Sequence, residues 1–319
     1  MLRYLTQRLI AFIPTLIGIS ILVFAAIRLI PGDIITATLG TEAGMLTAAQ
    51  RASLERYYGL DKPPVEQYFI WLGEALQGNL GESVRHGRPV LELIAGRFPL
   101  TLELALLAVL IALIIGIPFG LLAAIRHNTW LDFAGRLFAL VGLAVPNFLL
   151  GTLIIFVLSV YFKILPNAGD YVDFATDPLR NLQQMIFPAI TLGFAFAASV
   201  MRMTRSSMLE VLGEDYVRTA RSKGLPERSV ITRHSLRNAL IPVVTLIGIE
   251  MGYLLGGAFI VEQIFALPGL GRLLINAISQ RDYALVQGTV LFMALNFVAI
   301  NLLIDMIYAA IDPRISYGR

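Results

Sequence analysis

The stretch "EDYVRTARSKGLPERSVITRHSLRN", residues 214–238, holds six of the chain's 25 Lys and Arg residues, and His234 besides, against three acids. On either side of it the sequence is oily enough to cross a bilayer. The stretch itself has the grammar of a helix, a turn and a second helix. Glu214 and Asp215 suit a helix N-terminus, and Arg218, Arg221 and Lys223 follow toward the end, where cations complement the helix dipole. Gly224 stands where a helix closes on a left-handed residue, and Pro226 soon after it resists continuation. A second helix starts at Glu227 or Ser229 and runs toward the next apolar run. The product is a basic hairpin presenting Thr219 and Ala220, then a glycine turn. Two readings compete for it. One is a loop that holds anionic lipid head groups; the other is a docking element for a soluble partner. Small residues at the tip favour the second, since a lipid anchor would carry more Lys or Arg and an aromatic there.

The rest of the chain sets the frame for that hairpin. Of 319 residues, 57% are hydrophobic and 15% charged, against about 25% charged in a soluble domain. Apolar runs long enough to cross a hydrocarbon core of about 30 Å as helices recur at about 9–30, 99–125, 131–162, 186–205, 239–261 and 284–310. They are too long and too evenly apolar for barrel strands. The expected fold is therefore an all-α polytopic membrane protein with six transmembrane helices. Pro14, Pro118, Pro146, Pro188 and Pro242 lie in or beside these runs, where kinks are tolerated. The first apolar run is longer than a signal-peptide core and no small-residue cleavage site follows, so it reads as an uncleaved span.

Charge placement orients the spans. The 202–237 loop has eight Lys or Arg against four acids, whereas 31–98 has six against eight. Segments 163–185 and 262–282, on the same side as 31–98, show no basic excess. The positive-inside rule places both termini and the 202–237 loop in the cytoplasm. Segment 31–98 has its own helices: Thr47 caps a run that Gly59 would end, and "VEQYFIWLGEALQG" puts Tyr68, Trp71, Leu72, Ala75 and Leu76 on one face. It reads as a helical external segment between spans one and two, either packing on the spans or touching substrate. Three parts follow: 1–30, the cytoplasmic N-terminus and first span; 31–98, the external segment; and 99–319, a five-span core with its hairpin at 206–238.

Several chemistries are excluded. There is no cysteine, and His86, His127 and His234 are far apart, so no metal site is expected. No phosphate-cradling G-x-x-x-x-G-K-[ST] occurs. The net charge of +3 is no signal for nucleic acid in a membrane chain. An ionisable residue at bilayer depth is a functional candidate by default, and Glu250 is the deepest. Gly248, Gly252 and Gly256 form a packing ridge roughly opposite it. Glu250 then lines a pore, meeting an amino group or a metal cation, or is a hydrogen-bonded structural glutamate. Asn147, after Pro146, lines the pore or satisfies a kink. Asp305 shares a face with Asn301 and Tyr308 as a structural polar cluster, and Glu103 sits near the start of the second span.

The stretch "RMTRSSMLEVLGEDYVRTARSKGL" closely resembles the cytoplasmic coupling loop of permease subunits in the dipeptide/oligopeptide/nickel branch of ABC importers. The general pattern is E-A-A, three residues, G, nine residues, I-x-L-P. Here Arg218-Thr219-Ala220 stands in place of E-A-A, Gly224 is the glycine, and His234-Ser235-Leu236-Arg237 takes the last position. "QRLIAFIPTLIGISILVF", "IPGD", "GLDKPPVEQY", "LPGLGRLLINAISQRDYALVQG" and "NLLIDMIYAAIDPRI" extend the resemblance over nearly the whole chain, as the first of two permease subunits.

The resemblance implies the type I importer permease fold and an import function for di- or oligopeptides. Nickel chelates, glutathione and oligosaccharides are the other cargoes of such relatives. It implies a chain that is not an enzyme, with ATP and Mg held by two ATP-binding subunits. Its other partners are a second, non-identical permease, an extracytoplasmic substrate-binding protein and the lipid of a bacterial or archaeal cytoplasmic membrane. Asp215, Tyr216, Arg218, Thr219, Ala220, Arg221, Lys223 and Gly224 would couple to the ATPase. Glu262, Arg272 and Asp282 would form a polar face for the binding protein, in competition with plain external support. An ion-coupled secondary transporter is the distant alternative, but no internal repeat supports it.

Overall fold

The computed structural model describes residues 2–29, 35, 44–57, 60–166 and 170–311. Its helices in chain order are α1 (Leu2–Leu29), α2 (Ala48–Tyr57) and α3 (Pro64–Leu76), then, after a two-stranded hairpin of β1 (Glu82–Ser83) and β2 (Arg88–Pro89), α4 (Val90–Ile125), α5 (Trp130–Ala144) and α6 (Asn147–Phe162). They continue with α7 (Pro178–Leu212), α8 (Asp215–Ser222), α9 (Glu227–Ala239), α10 (Ile241–Gly257), α11 (Phe259–Ile264), α12 (Leu270–Ser279) and α13 (Tyr283–Ile311). Parts of α1, α4, α7 and α13 are each long and apolar enough to span a membrane, and two bent pairs, α5–α6 and α9–α10, bring the number of candidate spans to six.

Two spans begin earlier than their apolar runs suggest. The second is part of a 36-residue helix that starts at Val90, and the fourth belongs to a 35-residue helix from Pro178, capped by Asp177, whose carboxylate accepts the Arg180 N–H. The expected single span 131–162 is instead two helices meeting at 99°. The cause is local. Pro146 donates no hydrogen bond, and its ring forces the preceding residue out of the helical region. Val145 lies at φ −82°, ψ 119°, and Pro146 at φ −64°, ψ 140°, both extended.

The chain divides into two compact units. One comprises Leu100–Leu267 and the chain from Ile300 onward, with α7 at its centre. Close helix approach there rests on small residues. A Cβ on Gly120 would stand 2.6 Å from the Met201 carbonyl oxygen, and one on Gly193 2.8 Å from that of Ala108, so α4 and α7 touch backbone to backbone. Around this contact Leu104, Met185, Leu192, Phe196 and Phe265 form the buried core.

The second unit comprises Leu2–Pro99 and Pro268–Ala299. Val90, Ile94, Leu270, Leu273 and Leu285 make its core. Thr47 and Gln50 form a reciprocal capping box at the start of α2; Gly59 lies outside the described residues. Helix α3 packs on α1. Tyr68 and Trp71 meet Phe24, and the Tyr68 hydroxyl is 2.8 Å from that of Ser20. Leu72 and Ala75 are half-buried as expected from their face, but Leu76, the last residue of α3, is exposed.

Candidate functional site

The hairpin at 214–238 is built on a packed foot. Val217 and Ala220 on α8 are buried against Val230 on α9 and against Val211 and Leu212 at the end of α7. A second layer of Ala124, Met208 and Ala239 joins α4, α7 and α9 beneath it. Ala220 therefore does not present itself on the surface as its sequence neighbours suggested. Val217 and Ala220 lie on one helical stripe that faces inward, whereas the turn at Gly224 is exposed. Asp215, Arg218, Thr219 and Lys223 face outward, the Asp215 side chain 95% exposed.

The turn closes in a Schellman arrangement. Gly224 has φ +76°, its N–H donates to the Arg221 carbonyl at 2.9 Å, and the Leu225 N–H donates to the Ala220 carbonyl at 3.4 Å. No atom would meet a Cβ on Gly224, so glycine is needed there for backbone conformation, not for space. Two side-chain links hold the hairpin shut. The Asn238 amide donates to the Tyr216 hydroxyl at 2.8 Å, and the Arg221 guanidinium clasps the Glu227 carboxylate at 2.8 and 3.2 Å. Arg218 reaches Asp215 on its own helix at 3.3 Å.

Just above the hairpin, Asp132 is fully buried and takes two guanidinium bonds from Arg205, at 2.5 and 2.9 Å, with the Asn128 N–H donating at 3.0 Å. Arg136 lies 3.8 Å away. This pair locks α5 to α7 two turns before α8. Sequence reading missed it, because Asp132 and Arg205 are 73 residues apart. The one available signal was an acid standing at the start of an apolar run.

Within the same unit, α5, α6, α7 and α10 line an open cavity of about 290 Å³. Asn147 and Glu250, named separately from sequence, both line it, together with Ser199, Tyr253, Leu192 and Phe196. No Lys, Arg or His lines it among the described residues. Opposite Glu250 on α10, Gly248 and Gly252 are buried, and a Cβ on Gly248 would stand 2.6 Å from Ile304. The surroundings of Gly256 and the side chains of Asp305 and Tyr308 lie outside the described residues.

Glu103 lies well inside α4 rather than in its first turn, because the helix begins at Val90. Its carboxyl accepts from the Tyr171 hydroxyl at 3.0 Å, and the Asn181 amide donates to the Val172 carbonyl at 3.0 Å. Burial, with Glu103 beside it, pushes the Tyr171 phenol above its ordinary value, so it stays a donor.

The expected external polar face is not one. Glu262 is 0% exposed and accepts from the Thr101 hydroxyl at 2.7 Å. Asp282 is 1% exposed; it accepts from the Ser83 hydroxyl at 2.5 Å and from the N–H of Leu285 at 3.2 Å, so capping α13. Each carboxylate is used up holding the fold, and Arg272 is half-buried.

A bundle of apolar helices with a carboxylate-bearing cavity and an exposed basic hairpin defines a membrane permease subunit. The chain belongs to the family described as "Binding-protein-dependent transport system inner membrane component", matched over residues 116–317, with the N-terminal component of the same systems matched over 1–105. It is 43% identical over 318 residues to the glutathione transport system permease protein GsiC of Escherichia coli (strain K12), covering 99% of this chain and 100% of that one. The GsiC protein of Salmonella typhimurium (strain LT2) is 42% identical over 317 residues, with the same coverage.

Solved structures share the fold. An inward-facing MetNI methionine ABC transporter chain aligns with a TM-score of 0.53 at 18% identity, over 69% of this chain and 96% of its own. A chain of an amino acid ABC transporter crystallised with histidines aligns at 0.51 and 17%, over 70% and 94%. The protein is thus an ABC importer permease subunit of the inner membrane, a transport component without catalytic activity of its own. Its class works with a second permease, ATPase subunits and a substrate-binding protein.

Proposed function

We propose that this chain forms half of the translocation path of an importer of short peptides, and that α8 transmits ATPase motion to it. The observation that carries the coupling role is the two-sidedness of α8. Val217 and Ala220 fix the helix to the end of α7, while Asp215, Arg218, Thr219 and Lys223 are exposed toward a cleft on an ATPase subunit. Arg221 and Tyr216 serve by holding the hairpin closed, and Gly224 by shaping its tip. A force applied at α8 passes through a packed foot into α4, α7 and α9, a rigid-body route to alternating access.

In this reading ATP and Mg are bound by two partner subunits, the second permease is a non-identical chain, and a binding protein delivers cargo from outside. Both termini and the hairpin face the cytoplasm of a bacterial or archaeal cell, and lipid surrounds the outer helix faces. Glu250 and Asn147 line the path that the cargo follows. Glutathione, itself a tripeptide, is the second cargo reading, favoured by the activity in the names of the 43% identical relatives.

The test is uptake by the reconstituted importer of a labelled dipeptide and of labelled glutathione, comparing wild type with Gly224→Trp. The expected result is lost uptake and lost ATPase stimulation with the complex still assembled. Uptake that persists in Gly224→Trp would return the hairpin to a lipid-binding role. Uptake of neither labelled compound by wild type would overturn the peptide reading.

A further inference from the structure

We infer that the cavity between α5, α6, α7 and α10 is an ammonium subsite that receives the free amino end of the cargo. The inference rests on reading that cargo as a peptide, and its basis is the sign of the lining. A peptide carries one charge of each sign at its two ends. The described lining offers one carboxylate, Glu250, and no basic side chain, so the carboxylate end is repelled and the ammonium end attracted. Three neutral oxygen-bearing side chains, those of Asn147, Ser199 and Tyr253, line the same cavity. An α-ammonium has three N–H donors and no acceptor, and such a set of acceptors matches it.

Size points the same way. At about 290 Å³ the cavity lies at the floor of the usual ligand-site range of about 300–1,000 Å³. It has room for one residue end and its side chain beside Leu192 and Phe196, the rest of the cargo leaving through its open side. A divalent cation fits the lining less well, because hard cations gather about six to eight oxygens and usually more than one carboxylate. Among the described residues no three His, Cys, Asp or Glu side chains converge.

Chemical labelling of the assembled importer tests this without depending on what the binding protein selects. The chain has no cysteine, so Ser199→Cys provides its single thiol, read by the mass of this chain. Two reagents of similar size are compared, a cationic ethylammonium and an anionic sulfonatoethyl methanethiosulfonate. The cationic reagent is expected to label about 10-fold faster or more, the worth of one charge-assisted contact. Adding Glu250→Gln should erase that preference, and Glu250→Asp should keep it. A dipeptide should protect the thiol, and its N-acetyl derivative should not.

Equal rates for the two reagents, no labelling by either, or protection by nickel ions but not by the dipeptide would each overturn the subsite. Failure of the wild-type importer to take up peptide, with the reagent preference intact, would instead overturn the peptide reading and leave an ammonium subsite for another amine. Misfolding is kept apart by size-exclusion chromatography and thermal melting of the Glu250→Gln complex in the same preparation. An assembled complex that melts like wild type, with peptide uptake lowered about 10- to 100-fold, is the expected result; loss of assembly together with uptake would make Glu250 a structural glutamate.

Discussion

The 214–238 hairpin and the 262–282 segment carry charge outside the apolar runs in similar style, yet the fold treats them oppositely. In the hairpin, Asp215 and Arg218 lie on the surface and the buried residues are Val217, Ala220, Val230 and Ser235. In the 262–282 segment, Glu262 and Asp282 are the buried ones, each held by a hydroxyl from a distant part of its own unit. A charged residue between two spans is therefore no sign of a docking face by itself. What separates the two is where the partner lies. Asp215 and Glu227 pair with Arg218 and Arg221 on the exposed hairpin itself. Glu262 and Asp282 are buried against hydroxyls from distant parts of the chain, since a carboxylate without a partner is too costly to bury.

The largest effect that tests this contrast is expected at Asp282. Asp282→Ala leaves the buried Leu285 N–H without its side-chain acceptor and the Ser83 hydroxyl with only the His86 Nδ1, 2.9 Å away. At roughly 1–3 kcal/mol for an unsatisfied buried group, with the bond from Ser83 to a charged acceptor lost besides, the variant should lose about 3 kcal/mol and melt clearly earlier in detergent. Asp282→Asn keeps an oxygen acceptor and should recover part of the loss. An Asp282→Ala importer that melts like wild type but no longer responds to its binding protein would break the contrast. It would make this carboxylate a contact for a partner after all.

The middle effect lies inside α8. Ala220→Leu forces three extra carbons against Val230 and Leu212, and overpacking of this kind costs about 1–3 kcal/mol. The same change one residue earlier, Thr219→Leu, adds its bulk to an exposed position and should leave the melting temperature alone. Proteolysis within 214–238 reads the difference, since a loosened hairpin is cut faster. If Thr219→Leu is the one that loosens the hairpin, the helix is turned the other way and Ala220 is the presented residue.

How far the sequence led differs in the same way between local and distant features. The ending of α8 was legible because everything it needs is adjacent: a glycine for φ +76° and a proline just beyond. The spans were legible from apolar length, and Glu250 and Asn147 from being polar at depth, though not that they share one cavity. The 99° break was readable only as a kink at Pro146, since the proline breaks the helix but the direction of α6 depends on Gly151 fitting against Thr191 and Phe265. The partners of Asp132, Glu262 and Asp282 lie 73, 161 and 199 residues away. Nothing in the neighbourhood of those acids tells a buried ion pair from an exposed contact. The inward turn of Ala220 was the one miss with a local remedy, as Val217 and Ala220 already stand at helical spacing.

The smallest effect on the fold is expected where the effect on coupling is greatest. Asp215 and Arg218 meet each other at 3.3 Å on an exposed helix face, and exposed pairs contribute little to stability. Asp215→Ala and Arg218→Ala should therefore change melting by too little to resolve. If these side chains meet an ATPase subunit, each variant should still lower ATP-driven uptake several-fold, and the effect should shrink as salt screens the wild-type contact. The double variant then decides between two origins of the loss. Effects that fail to add show the two residues acting as one contact through their mutual pair, whereas additive effects show each meeting its own partner group. Unchanged uptake in all three would leave only the shape of the hairpin, set by Gly224 and its packed foot, to carry the motion.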